Sequence, residues 1–342
     1  MDEADVVMEN IPHSRPWLTD AEAASAGQVI ASKMIAAGQL NAEFERQVAT
    51  RLGMGAARSF PSGAVALREA LLIAGVTVGG EVIVPTYVCR SVADAVNSVG
   101  AVPVYSDVNE NGCISVEEAA KRISTATQAI VAVHIFGHAC AVRALEALGV
   151  PVIEDACQAF GFEMAEGFSG GIGNISVLSF HATKCLTTGE GGMLLVRQPD
   201  GLDEHASLEP PLSDLQCAVG LQQLARYEEF LSRRREIAAR YDAAASSRGA
   251  ILQRAQPKAR DLFRYVLSST RMFEEIAHIF ARDGIQTRRG VDALLHRQAG
   301  QSDDAFPVAT RLFAQSISLP FYPSLREHQV NRIVQTLETL TA

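Results

Sequence analysis

Six cysteines (89, 113, 140, 157, 185 and 217) are scattered along the 342 residues, and no two stand at CxxC spacing. That absence argues against a zinc site and a disulfide frame, and suits reduced thiols in a cytosol. Basic residues are the minority, 30 Lys and Arg against 39 Asp and Glu, for a net charge of −9. Nucleic acid is therefore disfavoured as a partner, because phosphate binding wants a basic face. Long apolar runs are lacking too. The longest, AIVAVHIFGHACAV at 129–142, is too short and too interrupted to span a bilayer. MDEADVVMENIPHS at the start is acidic and has no apolar core, so it does not read as a secretion signal. There is no internal repeat and no low-complexity segment. A cytoplasmic globular protein is expected, and its length suggests one large and one smaller domain.

What is present alternates. ALREALLIAG (66–75) has helical spacing, EVIVP (81–85) is a short apolar run, and SVADAVNSVG (91–100) is helical again. VPVYSDV, AIVAVHIFG, PVIED, SVLSF and MLLV supply further short buried runs, with helical ALEALG between two of them. Short apolar strands alternating with helices predict an α/β fold with a mostly parallel sheet covered on both faces. After Pro210-Pro211 the pattern changes to one long helix or a broken pair over 213–247, with Ser213 as N-cap. LFRYVLSS then reads as a strand, and MFEEIAHIFARDG as a helix closed by Gly284. The expected organisation is a loose arm over 1–15, a large domain over 16–212, and a linking helix with a small C-terminal α/β domain over 213–342.

In an open α/β sheet, ligands bind outside the carboxyl ends of the strands. Three short motifs fall at such ends. Pro61-Ser62-Gly63-Ala64 is a turn opening a helix, where free N–H groups and the helix dipole suit a phosphate. Ser-Gly alone is as often a plain N-cap. Ile153-Glu154-Asp155-Ala156-Cys157-Gln158 ends a strand on two acids, and a lone Asp there more often caps the next helix. SFHATKCLTTGEGGM (179–193) puts Ser179 and Lys184 at another strand end, where a lysine is seldom tolerated unless its charge is paired or its amine is used. Together the three describe what pyridoxal phosphate needs. A lysine forms a Schiff base with the aldehyde, a carboxylate keeps the pyridine nitrogen protonated, and a cup of N–H groups and hydroxyls holds the phosphate.

The chain resembles the DegT/StrS-like sugar aminotransferases, which are fold type I pyridoxal phosphate enzymes. The likeness runs through the SG-A-ALREAL cup, GGEVIVPTY, GAVPVYSDV, VAVHIFG, VIEDACQAFG, SFHATKCLTTGEGG, LSDLQCAVGLQQL, RRREIAARY and SLPFYPSL. The resemblance implies Lys184 as Schiff-base lysine and proton shuttle, and Asp155 as partner of the pyridine nitrogen. It implies Gln158 at the ring's 3-oxygen side, and Ser62, Gly63, Ala64 and Ser179 around the phosphate. It further implies amino transfer from L-glutamate to a nucleotide-linked keto sugar by a homodimer. Relatives that dehydrate a deoxysugar replace the lysine, which this chain keeps. A degenerate member acting as a regulatory or ligand-binding protein is the alternative.

Three departures from the family pattern stand out. Ala64 replaces a threonine, removing one hydroxyl from the cup. Cys89 stands where an aromatic often stacks on the ring, and Tyr87 would serve only if the turn were re-registered. The segment RQPDGLDEHASLEPP is short and offers Glu209 and Pro211 where relatives have an Asn and an Arg. Other groups read as structural: His134 and His138 as hydrogen-bonded strand-end residues, Glu190 as fixing its own loop, and Cys185 as a packed thiol. Arg233-Arg234-Arg235 and Arg288-Arg289 invite a nucleotide diphosphate, but charge runs on helices are usually solvated faces.

Overall fold

The computed structural model describes residues 9–203, 205, 207–246, 252–254 and 259–340; residues 1–8 of the arm and Ser247 of the expected long helix lie outside them. After β1 (Ala56–Phe60), four strands alternate with helices as the apolar spacing predicts: β2 (Glu81–Pro85), β3 (Val102–Ser106), β4 (Thr127–Val133) and β5 (Val152–Asp155). With Ile175–Ser179 and Gly192–Val196 they form one seven-stranded sheet. Its order is β1, Gly192–Val196, Ile175–Ser179, β5, β4, β2, β3. The pairings from β3 across to Ile175–Ser179 are parallel, while Gly192–Val196 runs antiparallel to both of its neighbours. β4 is buried from Ala129 to Val133, as a strand covered on both faces must be.

Helices α1 (Asp20–Ser32), α2 (Gln39–Leu52), α3 (Gly63–Ile73) and α4 (Arg90–Ser98) precede β3 in the chain. α1 begins on a capping box between Thr19 and Glu22, and α2 ends on Gly53 at φ 66°. One core joins Leu67 and Leu71 of α3 and Val92 of α4 to the inward residues of β2 and β4. A second lies around Phe44 and Val48 of α2, with Phe180, Leu195 and Leu224. β1 went unread in the sequence, because its AARSF buries only Ser59 and Phe60.

Ser213 caps the next helix through Gln216, and that helix breaks at Arg226 into Asp214–Ala225 and Tyr227–Ser246. A three-stranded antiparallel sheet follows, with Tyr265–Ser269 between Leu252–Arg254 and Ser316–Leu319. Its core is a third cluster, containing Tyr241, Tyr265, Phe280, Ile317 and Ile333. From residue 9 onward the segment read as a loose arm is docked on this unit. Ile11 is fully buried there, its N–H donates to the Gly284 carbonyl at 2.8 Å, and its carbonyl accepts from Gln286 at 3.0 Å. One apolar residue among polar neighbours carries no periodicity, so the sequence hid this contact.

The arginine run is not a solvated face either. Arg234 is buried and donates to the carbonyls of Phe263 (3.1 Å) and Phe321 (3.0 Å). Arg235 pairs with Asp261 at 2.7 Å, and Arg233 with Glu327 at 2.6 Å. Arg289 donates to the Phe313 carbonyl at 2.6 Å and lies over the Phe273 ring. Among the described residues, no helix is long and apolar enough to cross a membrane.

At the end of β5 the alternation of a strand turns neighbouring acids to opposite sides. Glu154, with no exposed surface, accepts from His134 Nε2 (3.0 Å), Ser176 Oγ (2.8 Å) and the N–H groups of Gly170, Ile172 and Gly173. Burial pushes its carboxyl up, but His134 and the Gly173 and Gly170 N–H groups outweigh that and hold it below the ordinary range. A lowered folded value means stability that is present above the unfolded carboxylate pKa and lost as pH falls through the folded one. Glu154→Gln should cost about 3–5 kcal/mol, the scale of breaking a buried charged network. Thermal melts at neutral pH should show that loss, and the gap between wild type and variant should shrink in acid. A variant as stable as wild type at neutral pH would contradict this account.

Candidate active site

The carboxyl ends of β4, β5 and Ile175–Ser179 open onto a cavity of about 250 Å³. Ser62, Gly63, Ala64, Cys89, Asp155, Gln158, Ser179 and Lys184 all line it. Every candidate residue from the three sequence motifs therefore meets in one place.

Ser62 is the N-cap of α3, in extended conformation, and its Oγ accepts from Val65 N–H at 3.2 Å. The N–H groups of Gly63 and Ala64 find no acceptor among the described residues, so the start of α3 presents free donors to the cavity. Close approach demands glycine twice here. A Cβ on Gly63 would lie 2.9 Å from Ser179 Cβ, and one on Gly192 would lie 2.4 Å from the Ser62 carbonyl. Those two glycines let the helix start, Ser179 and the strand Gly192–Val196 crowd together.

Asp155 is buried, and no helix follows β5, so the capping role weighed for it does not apply. Its Oδ1 accepts from Cys157 N–H at 2.9 Å, while Oδ2 has no partner among the described residues. Burial, then the charge of Asp155, pushes the Cys157 thiol well up, leaving it a neutral neighbour. Gln158 Oε1 accepts from Phe136 N–H at 2.8 Å, which leaves its amide nitrogen as the donor.

Lys184 follows a turn closed by its own N–H on the His181 carbonyl at 2.9 Å. The side chain is half-buried and makes no ion pair among the described residues; Nζ lies 5.1 Å from the Phe263 ring centre. Of the two ways to tolerate a lysine there, pairing is missing and use of the amine remains. The loop is held by the Glu190 carbonyl, which accepts from Thr188 Oγ1 (2.6 Å) and Gln216 Nε2 (3.0 Å).

Tyr87 does not reach the cavity. It is fully buried, packs edge-on to Phe136 at 6.0 Å, and burial pushes its hydroxyl up to about 12. Cys89 lines the cavity instead, its Sγ 3.0 Å from Ser91 Oγ. His134 is structural, with Nε2 on Glu154 and Nδ1 accepting from Cys140 N–H at 3.0 Å. His138 Nδ1 meets the Asn111 carbonyl at 2.7 Å. Glu209 pairs with Arg68 of α3 at 3.1 Å and stays outside the cavity. Sequence reasoning missed Val133, Thr183 and Phe263. Val133 ends an apolar strand and was legible; Phe263 comes from a distant segment and was not.

The donor set fits pyridoxal phosphate: a helix start with unused N–H groups, a buried carboxylate with a free oxygen, an amide donor and an unpaired lysine. On a mostly parallel α/β sheet, that set defines a fold type I pyridoxal phosphate enzyme. The chain belongs to the DegT/DnrJ/EryC1/StrS aminotransferase family, whose profile matches residues 16–211 and 203–338, and it is a pyridoxal phosphate-dependent aminotransferase. It is 30% identical to the GDP-perosamine synthase of Escherichia coli O157:H7 over 361 residues, covering 96% of this chain and 98% of that one. The spore coat polysaccharide biosynthesis protein SpsC of Bacillus subtilis is 27% identical, with 96% and 97% covered. Among solved structures, the aminotransferase TlmJ of Streptoalloteichus hindustanus matches with a TM-score of 0.89 at 26% identity, over 96% of this chain and 98% of that one. An aminotransferase of the same family from Brucella abortus matches with a TM-score of 0.84 at 26% identity, over 93% and 94%.

Ala64 gives the helix start a backbone donor and no hydroxyl. A hydrogen bond to a charged group contributes roughly 1.5–3 kcal/mol, so Ala64→Thr should hold the cofactor about tenfold more tightly or better. Wild type should lose pyridoxal phosphate on prolonged dialysis, and the variant should retain it. Full retention by wild type, with no change in the variant, would overturn the expectation.

Proposed function

We propose that this enzyme moves an amino group from L-glutamate to the keto group of a nucleotide-linked sugar, as a cytoplasmic homodimer. One observation carries the reading: residues from three separate motifs converge on a single cavity, with Lys184 unpaired in its wall. The sugar and its nucleotide are supported by the relative named for GDP-perosamine synthesis. Dimer formation is supported by an apolar strip on and after α1, where Ile30, Met34 and Ile35 are all more than half exposed.

When bound, pyridoxal phosphate supplies an aldehyde that takes up the amino group and a ring that accepts electrons from the donor's Cα. The Gly63 and Ala64 N–H groups, with the hydroxyls of Ser62 and Ser179, hold its phosphate at the positive end of α3. Asp155, whose Oδ2 has no partner among the described residues, would keep a proton on the ring nitrogen. Gln158 donates to the ring's oxygen side, and Cys89 gives a small wall where relatives stack an aromatic. Lys184 would hold the cofactor through Nζ and would move the proton at the donor's Cα. No carboxylate holds Nζ back from that task.

Borohydride reduction followed by peptide mass spectrometry should place the pyridoxyl mass on the peptide containing Lys184. Finding it on another lysine, or nowhere, would sink the assignment. Asp155→Asn should keep fold and cofactor yet lose turnover by on the order of a hundredfold or more, the scale of one positioned proton site. Near-normal turnover in that variant, measured with L-glutamate as donor, would reduce Asp155 to a turn-forming residue.

A further inference from the structure

Phe263 belongs to the cluster around Phe44 and Phe180 and is only 5% exposed, yet its ring meets charge. Lys184 Nζ lies 5.1 Å from the ring centre, and the central carbon of the Arg264 guanidinium lies 5.7 Å from it. The ring also stands in the wall of a second, smaller cavity of about 150 Å³, with His13 and Arg15 of the arm, Arg264 and Arg288. His181 and Thr183 line both this cavity and the cofactor's, so Phe263 sits where the two adjoin.

Backbone bonds fix the ring from both sides. Phe263 N–H donates to the Phe136 carbonyl at 2.9 Å, and the Phe263 carbonyl accepts from Arg234 Nη1 at 3.1 Å. So close an approach to the turn needs Gly137, at φ 93°. A Cβ there would lie 3.0 Å from the Phe263 nitrogen and 2.8 Å from the Phe162 ring. Phe136 has φ 58°, a strained conformation for a residue with a side chain, and its N–H donates to Gln158 Oε1 at 2.8 Å. One strained turn therefore places both Gln158, in the cofactor cavity, and Phe263, over the lysine.

An aliphatic side chain would fill the same space. What an aromatic adds is a face of negative partial charge, which attracts an ammonium and not a neutral amine. In the reaction proposed above Lys184 is each in turn. Its amine takes the proton from the donor's Cα and becomes an ammonium, which then gives up the same proton beside the cofactor. The N–H bond made in the first transfer is broken in the second, so no further acid or oxidant enters. A carboxylate in contact with Nζ would hold the charged form far more strongly and resist the second transfer. We propose that Phe263 is a positioning residue for Lys184, its ring face receiving the charged Nζ and holding it in the cavity wall between the two transfers. The proposal rests on the aminotransferase reading above.

The test compares wild type with Phe263→Leu, which stays apolar but has no face, and with pentafluorophenylalanine in place of Phe263. The fluorinated ring keeps the shape and reverses the charge of the face. Thermal melts check that both fold. The full-length chain, freed of cofactor by hydroxylamine, is treated with limiting acetic anhydride and read by peptide mass spectrometry. An amine reacts and an ammonium does not, so Lys184 should be acetylated about threefold faster or more in both altered proteins, with the other lysines unchanged. In the loaded enzyme, kcat with L-glutamate should fall by a similar factor while KM holds. The pentafluorophenylalanine protein decides, even where the leucine variant folds poorly. An unchanged acetylation rate or an unchanged kcat in it overturns the proposal, as does a change confined to KM. If wild type given pyridoxal phosphate shows no visible cofactor band, the aminotransferase reading fails by itself, and the acetylation rate still decides whether the ring holds the ammonium.

Discussion

Glu154 is the group on which the arrangement depends. A fully buried carboxylate is tolerated only when its oxygens are saturated, and this one is met by an imidazole, a hydroxyl and three backbone N–H groups. Those donors come from His134 just after β4, from the segment leading into Ile175–Ser179 and from Ser176 within that strand, so one side chain ties together three neighbouring strands in the middle of the sheet. Because strand residues alternate in direction, fixing Glu154 on one side fixes Asp155 on the other, facing the cavity. The acid that anchors and the acid that faces the cavity are adjacent in sequence and opposite in role.

Around that fixed point, the cavity is built from backbone crowding as much as from side chains. Gly63 and Gly192 allow α3 to begin almost in contact with Ser179 and the strand beyond it, which aims unused N–H groups and the positive helix end at one point. Lys184 reaches the same space from a loop pinned by Thr188 and Gln216 through the Glu190 carbonyl. Among the described residues, neither the Lys184 amine in one cavity nor the Arg264 guanidinium in the next is in an ion pair, which marks both as candidate ligand positions.

The C-terminal unit contributes more than a cover. Phe263 stands over Lys184, and Arg234 joins the long helix to the segments carrying Phe263 and Phe321. Leu295 N–H donates to the Thr86 carbonyl at 3.1 Å, stitching the later part of the chain to the end of β2. The arm closes the second pocket only because Ile11 is buried against this unit.

Much of this was readable from residues alone. Alternating apolar runs specify strands and helices locally, since burial on both faces needs continuous hydrophobic residues, and the α/β sheet followed from them. The motifs ending in Asp155 and Lys184 pointed to their cofactor because few chemistries need a helix-start cup, a strand-end acid and a lone lysine together. The edge strand β1 was not legible, since half-buried polar residues give no period. Nor was the docked arm, the buried Arg234, the inward turn of Tyr87, or the arginine pocket beside Lys184. Each of these depends on which distant segments come to share one space, and local sequence pattern carries no information about that contact.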